Sequence, residues 1–408
     1  MVPRLPRAVY VFQAGLVLNA FGNGAANPFI VIYLHEVRGI PLGLAGLAGS
    51  TSALCGLGGA LAAGSIADRL GARTAMRVGL VLSTIGFAFY PLVREPWHAI
   101  VLAAVAGCGT GTWLTAQSAL VAGLVPPSLR HVAFAQQRVA ANIGLGFGGF
   151  VGGVIVTVSD PSSFTRLFLL DAATFAAYGL VLALVPASGR RVTPGGGYAA
   201  AARDRPFLGV VALNFVWVVS TIALMNSLFP VFAHERSGVS THAIGVLFLV
   251  NSLTIVVLQL PVSRAVEGRR RMRMLALMAA VFAGWWLLVL GTGLRLTGAE
   301  AVAVLAVAIG VLAVGECVYD AVHGPLVAEL APEGSTGRYL AVSGFGWQLG
   351  FIVSPAVGGL VLTAEPLALP VAAAAVCIAG GVLALALERA LPAGVQITPR
   401  IEEQPVTP

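Results

Sequence analysis

The chain has 408 residues, 58% of them hydrophobic and 10% charged, with a mean hydropathy of +0.90. A water-soluble domain carries roughly 25% charged residues, so this composition excludes one and leaves lipid as the surroundings of most of the surface. The formal charge of +7 would suit a nucleic-acid binder, but all 24 basic residues are Arg and most lie in short segments between apolar runs, where they read as orientation signals instead.

About 20 apolar residues cross a bilayer as a helix. Runs of that length fall at 9–34, 42–66, 74–93, 97–122, 131–157 and 164–186, and again at 206–233, 241–263, 272–292, 299–328, 338–363 and 367–388. A membrane β-barrel needs alternating polar and apolar residues. Val302–Ala313 holds only Ala, Val, Leu, Ile and Gly, so the runs are read as helices. The first follows Arg4 and Arg7 like a signal peptide, but it lacks a cleavage site and continues past Ile32, and is read as the first span. Cys55, Cys108, Cys317 and Cys377 all lie inside apolar runs, at no metal-binding spacing, and read as packing residues.

The expected fold is all-α and integral to the membrane, with twelve transmembrane helices in two pseudo-symmetric six-helix bundles. Residues 1–186 form the first bundle, 187–205 a Gly- and Arg-containing cytoplasmic linker, 206–389 the second bundle and 390–408 a cytoplasmic tail. With both termini cytoplasmic, 19 Arg fall on the inner side and 5 on the outer, the asymmetry expected of a multi-pass protein of the cell membrane.

The two halves repeat one another. Leu120-Val121-Ala122-Gly123-Leu124-Val125-Pro126 matches Leu326-Val327-Ala328-Glu329-Leu330-Ala331-Pro332 at an offset of 206, and Gly144, Gly152 and Gly153 fall on Gly350, Gly358 and Gly359 at the same offset. A shorter echo sets His35-Glu36-Val37-Arg38-Gly39 against His234-Glu235-Arg236-Ser237-Gly238. Parallel repeats of this kind place a substrate site between halves, near the bilayer midplane.

Several residues stand out in chain order. Asn19, Asn23 and Asn27 form a polar stripe at four-residue spacing in the first helix and are expected to line a substrate cavity, together with Gln117 of the fourth and Asn214, Trp217 and Thr221 of the seventh. Gly64-Ser65-Ile66-Ala67-Asp68-Arg69-Leu70-Gly71-Ala72-Arg73 follows the second helix. Its Asp68 is placed to pair with Arg130 or a helix N-terminus, making Gly64, Asp68, Arg69, Gly71, Arg73 and Arg130 a conformational latch. Gly144, Gly148, Gly152 and Gly153 in the fifth helix, and Gly350, Pro355, Gly358 and Gly359 in the eleventh, read as small-residue packing faces. Ionisable residues within spans are costly and are functional candidates by default. Glu316, Asp320 and His323 stand at i, i+4 and i+7 in the tenth helix, and their counterparts in the fourth are Thr110, Leu114 and Gln117. With Asp171 in the sixth, they are the candidates for proton coupling.

The Gly64–Arg73 segment resembles the signature of the major facilitator superfamily in the loop between its second and third helices, with Ala72 where a basic residue is usual. The fifth helix is similar to the Gly-rich antiporter signature of drug exporters in that superfamily. Gly149 replaces the usual Pro, whereas the eleventh helix keeps Pro355. Leu170–Phe175 around Asp171 looks like a sequence found in macrolide-efflux-like and siderophore-exporter-like members. Proton-coupled members usually carry Arg in the fourth helix, where this chain has Val105.

The resemblance implies the major facilitator fold and a monomeric secondary transporter in the efflux branch. It would export a small amphipathic organic molecule by proton antiport and alternating access. A metabolite importer or facilitator of the same fold, and a non-transporting membrane sensor, are the rival readings. No enzyme, cofactor, metal site or nucleic-acid partner is expected. The His-Glu pairs lack a second His at the spacing of a zinc motif, and no Gly-Lys-Ser/Thr nucleotide loop is present.

Overall fold

The computed structural model describes residues 5–125, 129–185, 201–332 and 335–399, except the side chains of 68, 122, 130–132, 135, 336 and 337. Among the described residues, twelve helices are long and apolar enough to cross a membrane. The first six are α1 (Arg7–Val37), α2 (Leu42–Leu70), α3 (Ala72–Leu92), α4 (Pro96–Leu124), α5 (Arg130–Ile155) and α6 (Pro161–Leu184). The second six are α7 (Arg205–Ser227), α8 (Thr241–Ala265), α9 (Arg271–Arg295), α10 (Gly298–Leu330), α11 (Thr336–Ala364) and α12 (Ala368–Ala390), with a short helix Phe229–Ser237 between α7 and α8. A helix satisfies its own backbone polar groups, which lipid cannot do, and runs rich in Ala, Leu and Val supply the apolar surface.

A few helix starts are marked by side chains that accept from otherwise orphaned N–H groups. Asp160 accepts from Ser162 N at 3.0 Å and Asp204 from Phe207 N at 3.1 Å, each just ahead of a helix with Pro in its first turn. The bond from the Ser162 hydroxyl, foremost, holds the exposed Asp160 carboxyl below its ordinary range. Gly71 (φ 87°) and Gly268 (φ 70°) make the equivalent turns α2–α3 and α8–α9. Both adopt a left-handed backbone that side-chain-bearing residues avoid.

Alternating helix directions bring Arg7, Arg69, Arg73, Arg205, Arg269–Arg273 and Arg389 to one end of the bundle, called here the arginine-rich end; the other is the distal end. Within the first half, α1 packs on α5 and α6, and α4 on α2 and α3. In the second, α9 packs on α10 and α12, and α7 on α11 and α12. The halves meet along two seams, α2 on α11 and α5 on α8.

The linker expected at 187–205 falls mostly on residues 186–200, outside those described, as do residues 400–408 of the tail. The described tail docks on the α8–α9 turn. Arg271 N donates to Gln396 O at 2.8 Å, Thr398 N to Arg269 O at 3.0 Å and Gly268 N to Thr398 O at 2.9 Å. Arg271 is fully buried there and pairs with Glu329 at 2.6 Å, while Arg270 pairs with Glu388. The acids for this arginine cluster thus come from α10 and α12 rather than from its own turn.

Candidate functional site

Between the halves lies a cavity of about 1140 Å³ lined mainly by apolar side chains. Its lining is graded. Toward the distal end Val31, Ala45 and Ala48 are at most 5% exposed, whereas toward the arginine-rich end Leu61 and Phe345 are 73% and 45% exposed. The cavity is therefore shut distally and opens toward the arginine-rich end.

The distal closure rests on glycines, because only they let two backbones approach this closely. A Cβ on Gly46 of α2 would lie 2.1 Å from the Pro355 carbonyl oxygen of α11. One on Gly153 of α5 would lie 2.7 Å from Thr241 O and 2.8 Å from the Cα of Gly245 in α8. Across the same seams, Thr241 donates its hydroxyl to Val156 O at 2.8 Å and Ala356 N donates to Ser50 Oγ at 3.1 Å. Gly144, Gly148 and Gly152 instead face α1, and Gly350 and Gly358 face the α7 segment, within their own halves. Gly359 faces Leu42 across the α2–α11 seam. The repeated small residues thus divide between packing each half and closing the seam.

Charge within the cavity is concentrated at α10. Glu316 and Asp320 both line it, and their counterparts Thr110 and Leu114 line it from α4. Glu316 accepts a 2.9 Å hydrogen bond from the Asn251 amide of α8 and has no ion-pair partner among the described residues. Asp320 pairs with Arg138 of α5, a contact that crosses from one half to the other. Asp320 is 12% exposed and Arg138 is 62% exposed, so the anion is the more sheltered partner. Tyr319, Trp347 and Phe351 form an aromatic row along the wall, with centroids 5.9 and 5.8 Å apart. Gln348 reaches across to Ala53 O at 2.7 Å.

The other candidate residues are placed differently. Asn23 and Asn27 line the cavity, but Asn19 is fully buried on the face that packs against α6. Four residues advance a helix by about 400°, so each step of the stripe rotates about 40°. That rotation carries the stripe from the α6 side at Asn19 to the cavity at Asn23 and Asn27. Asn214, Trp217 and Thr221, expected in the cavity, pack against α10, α11 and α12 instead. Asn214 donates to Ser343 O and accepts from the Tyr319 hydroxyl, at 3.1 and 2.7 Å. The Thr221 hydroxyl meets Cys377 Sγ at 3.2 Å, and Trp217 lies against Gly380. A π-helical turn at Val218–Ile222 separates this face from Met225 and Asn226, which do reach the cavity. Gln117 is likewise buried in packing, outside the lining.

His323 stacks on Tyr319 at 4.9 Å and is buried outside the lining. Asp171 is fully buried between α6 and α1, where its carboxylate faces Gly22 and the Thr174 hydroxyl. Both stand apart from the Glu316–Asp320 cluster. Of the expected latch, the Asp68 and Arg130 side chains lie outside the described residues. Arg73 donates to Ala183 O at 2.9 Å within the first half. Around Gly64 and Gly71 an added Cβ would meet nothing within 4 Å, as the open end requires.

Arg138, Asn251, Tyr319 and Gln348 were not singled out by the sequence. Arg138 is one of the 19 arginines assigned to the inner side, although it lies eight residues inside α5, about 12 Å from its start. That depth was the available signal. Asn251 and Gln348 were isolated polar residues in apolar runs.

The model of the Major Facilitator Superfamily matches residues 14–290 and 222–407. The chain belongs to that superfamily. It is 27% identical over 370 residues to the uncharacterized MFS-type transporter YttB of Bacillus subtilis (strain 168), covering 88% of this chain and 89% of the relative. It is 24% identical over 360 residues to the multidrug resistance protein MdtH of Aeromonas hydrophila subsp. hydrophila, covering 87% of each. Among solved structures, a POT family transporter in complex with 5-aminolevulinic acid superposes with a TM-score of 0.78 at 14% identity, over 93% of this chain and 96% of that one. The inward open conformation of the xylose transporter XylE from E. coli gives 0.71 at 16% identity, over 94% and 95%. These structural likenesses carry the fold. As a superfamily member the protein is a multi-pass membrane transporter of small molecules.

Proposed function

We propose that this transporter exports an amphipathic organic molecule in exchange for protons. The observation that carries the reading is the Asp320–Arg138 pair across the halves, one helical turn from Glu316 in a largely apolar cavity. A proton on Asp320 and the Arg138 guanidinium compete for the same carboxylate. Protonation therefore weakens a contact between halves, and deprotonation restores it. Glu316, held by a neutral amide, offers a second carboxylate to a proton or to a cationic group of the substrate.

The apolar lining and aromatic row suit an amphipathic molecule better than a sugar or phosphate. Relatives named as multidrug resistance proteins support the efflux reading. The arginine-rich end is assigned to the cytoplasm by the positive-inside rule, so the open cavity would load from that side. His323, stacked on Tyr319, and Asp171, buried between α6 and α1, are assigned packing roles outside the coupling pair.

The test is transport by the purified protein in liposomes under an imposed pH gradient, using a panel of amphipathic cations and neutral analogues. Glu316→Gln and Asp320→Asn should each reduce gradient-driven flux about a hundredfold, the scale for losing a positioned proton-transfer group. Gradient-free counterflow should survive. Full gradient-driven flux in both variants would remove these residues from the coupling role, and flux indifferent to pH in the parent would favour a facilitator.

A further inference from the structure

The distal end carries a second cluster that the cavity does not use. The repeated His-Glu dipeptides of α1 and the Phe229–Ser237 helix meet reciprocally across the halves. His35 Nε2 lies 3.4 Å from Glu235 Oε1, and His234 Nε2 lies 3.3 Å from Glu36 Oε2. In each histidine the other ring nitrogen, Nδ1, bonds a backbone carbonyl five residues on, Ile40 O at 2.9 Å and Val239 O at 2.7 Å. The turns that present these carbonyls are set by Gly39 (φ 67°) and Gly238 (φ 62°).

This geometry calls for a proton between each ring and its carboxyl group. A carbonyl oxygen can only accept, so Nδ1 carries hydrogen in both rings. A neutral imidazole would then turn the lone pair of Nε2 toward a carboxylate oxygen, two acceptors facing one another. An imidazolium places N–H there instead and makes a charge-assisted bond. The four side chains are between 20% and 34% exposed, sheltered enough for the pairs to matter and open enough to exchange protons with distal solvent.

We propose that His35 and His234 are a pair of proton-binding sites that lock the distal end shut, each proton being held by the carboxylate of the opposite half. Opening the distal end separates each ring from its carboxylate and lowers its affinity for the proton. By linkage, protons in the distal compartment favour the closed state. These protons enter and leave on the distal side, so the lock is separate from the coupling assigned to α10 and holds whether or not that coupling is correct.

Other charged groups nearby leave this assignment intact. Arg38 is engaged by the Tyr33 hydroxyl at 2.6 Å and by the Pro91 carbonyl. Arg236, on the short helix, and Arg295, ending α9, are exposed. On α8, His242 lies beside the Phe150 ring, at 6.1 Å between centroids. The neighbouring stretch of α2, residues 42–54, contains no ionisable side chain. The hydrogen bond to Glu36, foremost, raises the His234 pKa above its ordinary 6.5, and burial, foremost, raises that of Glu235 above 4.5. His234 therefore keeps its proton to higher pH while the halves are docked, and that part of the lock is lost as pH rises through the raised His234 value.

The experiment is hydrogen–deuterium exchange of the full chain in lipid nanodiscs, corrected for intrinsic exchange rates and read on the peptides around residues 35–46 and 234–246. Protection there should fall several-fold between about pH 6 and about pH 8.5, in the direction required when the closed state holds the protons more tightly. The His35→Gln/His234→Gln variant should lose this pH dependence, and the His35→Arg/His234→Arg variant should stay protected at the higher pH. Glu36→Gln/Glu235→Gln should resemble the Gln-for-His pair. An unchanged pH response in any of the three variants, or none in the parent, overturns the proposal. The parent titration and the Arg variant keep it testable if a neutral variant fails to fold.

Discussion

The two ends of the inter-half interface are built on different principles. At the distal end, backbones touch through Gly46, Gly153, Gly245 and Gly359, and the contact is reinforced by hydrogen bonds and reciprocal His–Glu pairs. Toward the arginine-rich end the lining is exposed, and the described polar links across the cavity are Arg138–Asp320 and Gln348–Ala53. Close packing is short-ranged and fails abruptly when one atom is added. An ion pair beside solvent weakens gradually with protonation or competing charge. Shape backed by ion pairs thus holds the distal end, whereas polar links alone join the halves toward the arginine-rich end, a division suited to the exchange proposed above.

The largest effect should come from breaking the charged link. Arg138→Ala leaves Asp320 in the cavity wall without its guanidinium. Gradient-driven flux in liposomes should drop about a hundredfold, as expected for losing a charged partner at the proposed proton-coupling site. Distal protection against hydrogen exchange should stay at the parent level. If both measurements fell together, the two ends would not be separable in this way.

Next in size is an attack on shape. Gly46→Val puts side-chain atoms where the Pro355 backbone now lies, and backbone cannot swing aside as a flexible side chain would. Overpacking of this kind costs about 1–3 kcal/mol, which shifts the population away from distal closure by about fivefold or more. Maleimide labelling of a cysteine placed at Val31, on a background lacking the four native thiols, should quicken by that factor. An unchanged labelling rate would mean that the glycine is not needed for closure.

The comparison also explains what was legible in the sequence. The twelve spans are encoded locally, in runs of apolar residues whose length is fixed by the bilayer, and they could be read directly. Glu316 and Asp320 stood out because an acid within such a run is costly. Arg138 did not, because in a sequence it looks like any arginine near a helix start; its role depends on α5 meeting α10 across the halves. Asn19 and Thr221 were misplaced for a related reason. Spacing fixes angles around one helix but not which neighbour each face meets, and a π-helical turn in α7 shifts the register further. The His-Glu echo was visible as a repeat, yet the crossing of each His to the other half's Glu exists only once the halves dock.

The smallest effect should come from the opposite end of the same helix as Gly46. Gly64 also lies on α2, but an added Cβ there meets nothing within 4 Å. Replacing Gly by Ala within a helix gains up to about 1 kcal/mol through lower backbone entropy in the unfolded chain, so Gly64→Ala should leave the thermal midpoint unchanged or slightly raised. Distal protection should also be unchanged. Flux should nevertheless fall a few-fold, because the state that shuts the arginine-rich end must bring this face of α2 against the other half, where glycine does for that end what Gly46 does distally. A Gly64→Ala protein with parental flux would show that the arginine-rich end closes without close backbone contact here, and that charge suffices at that end in both states.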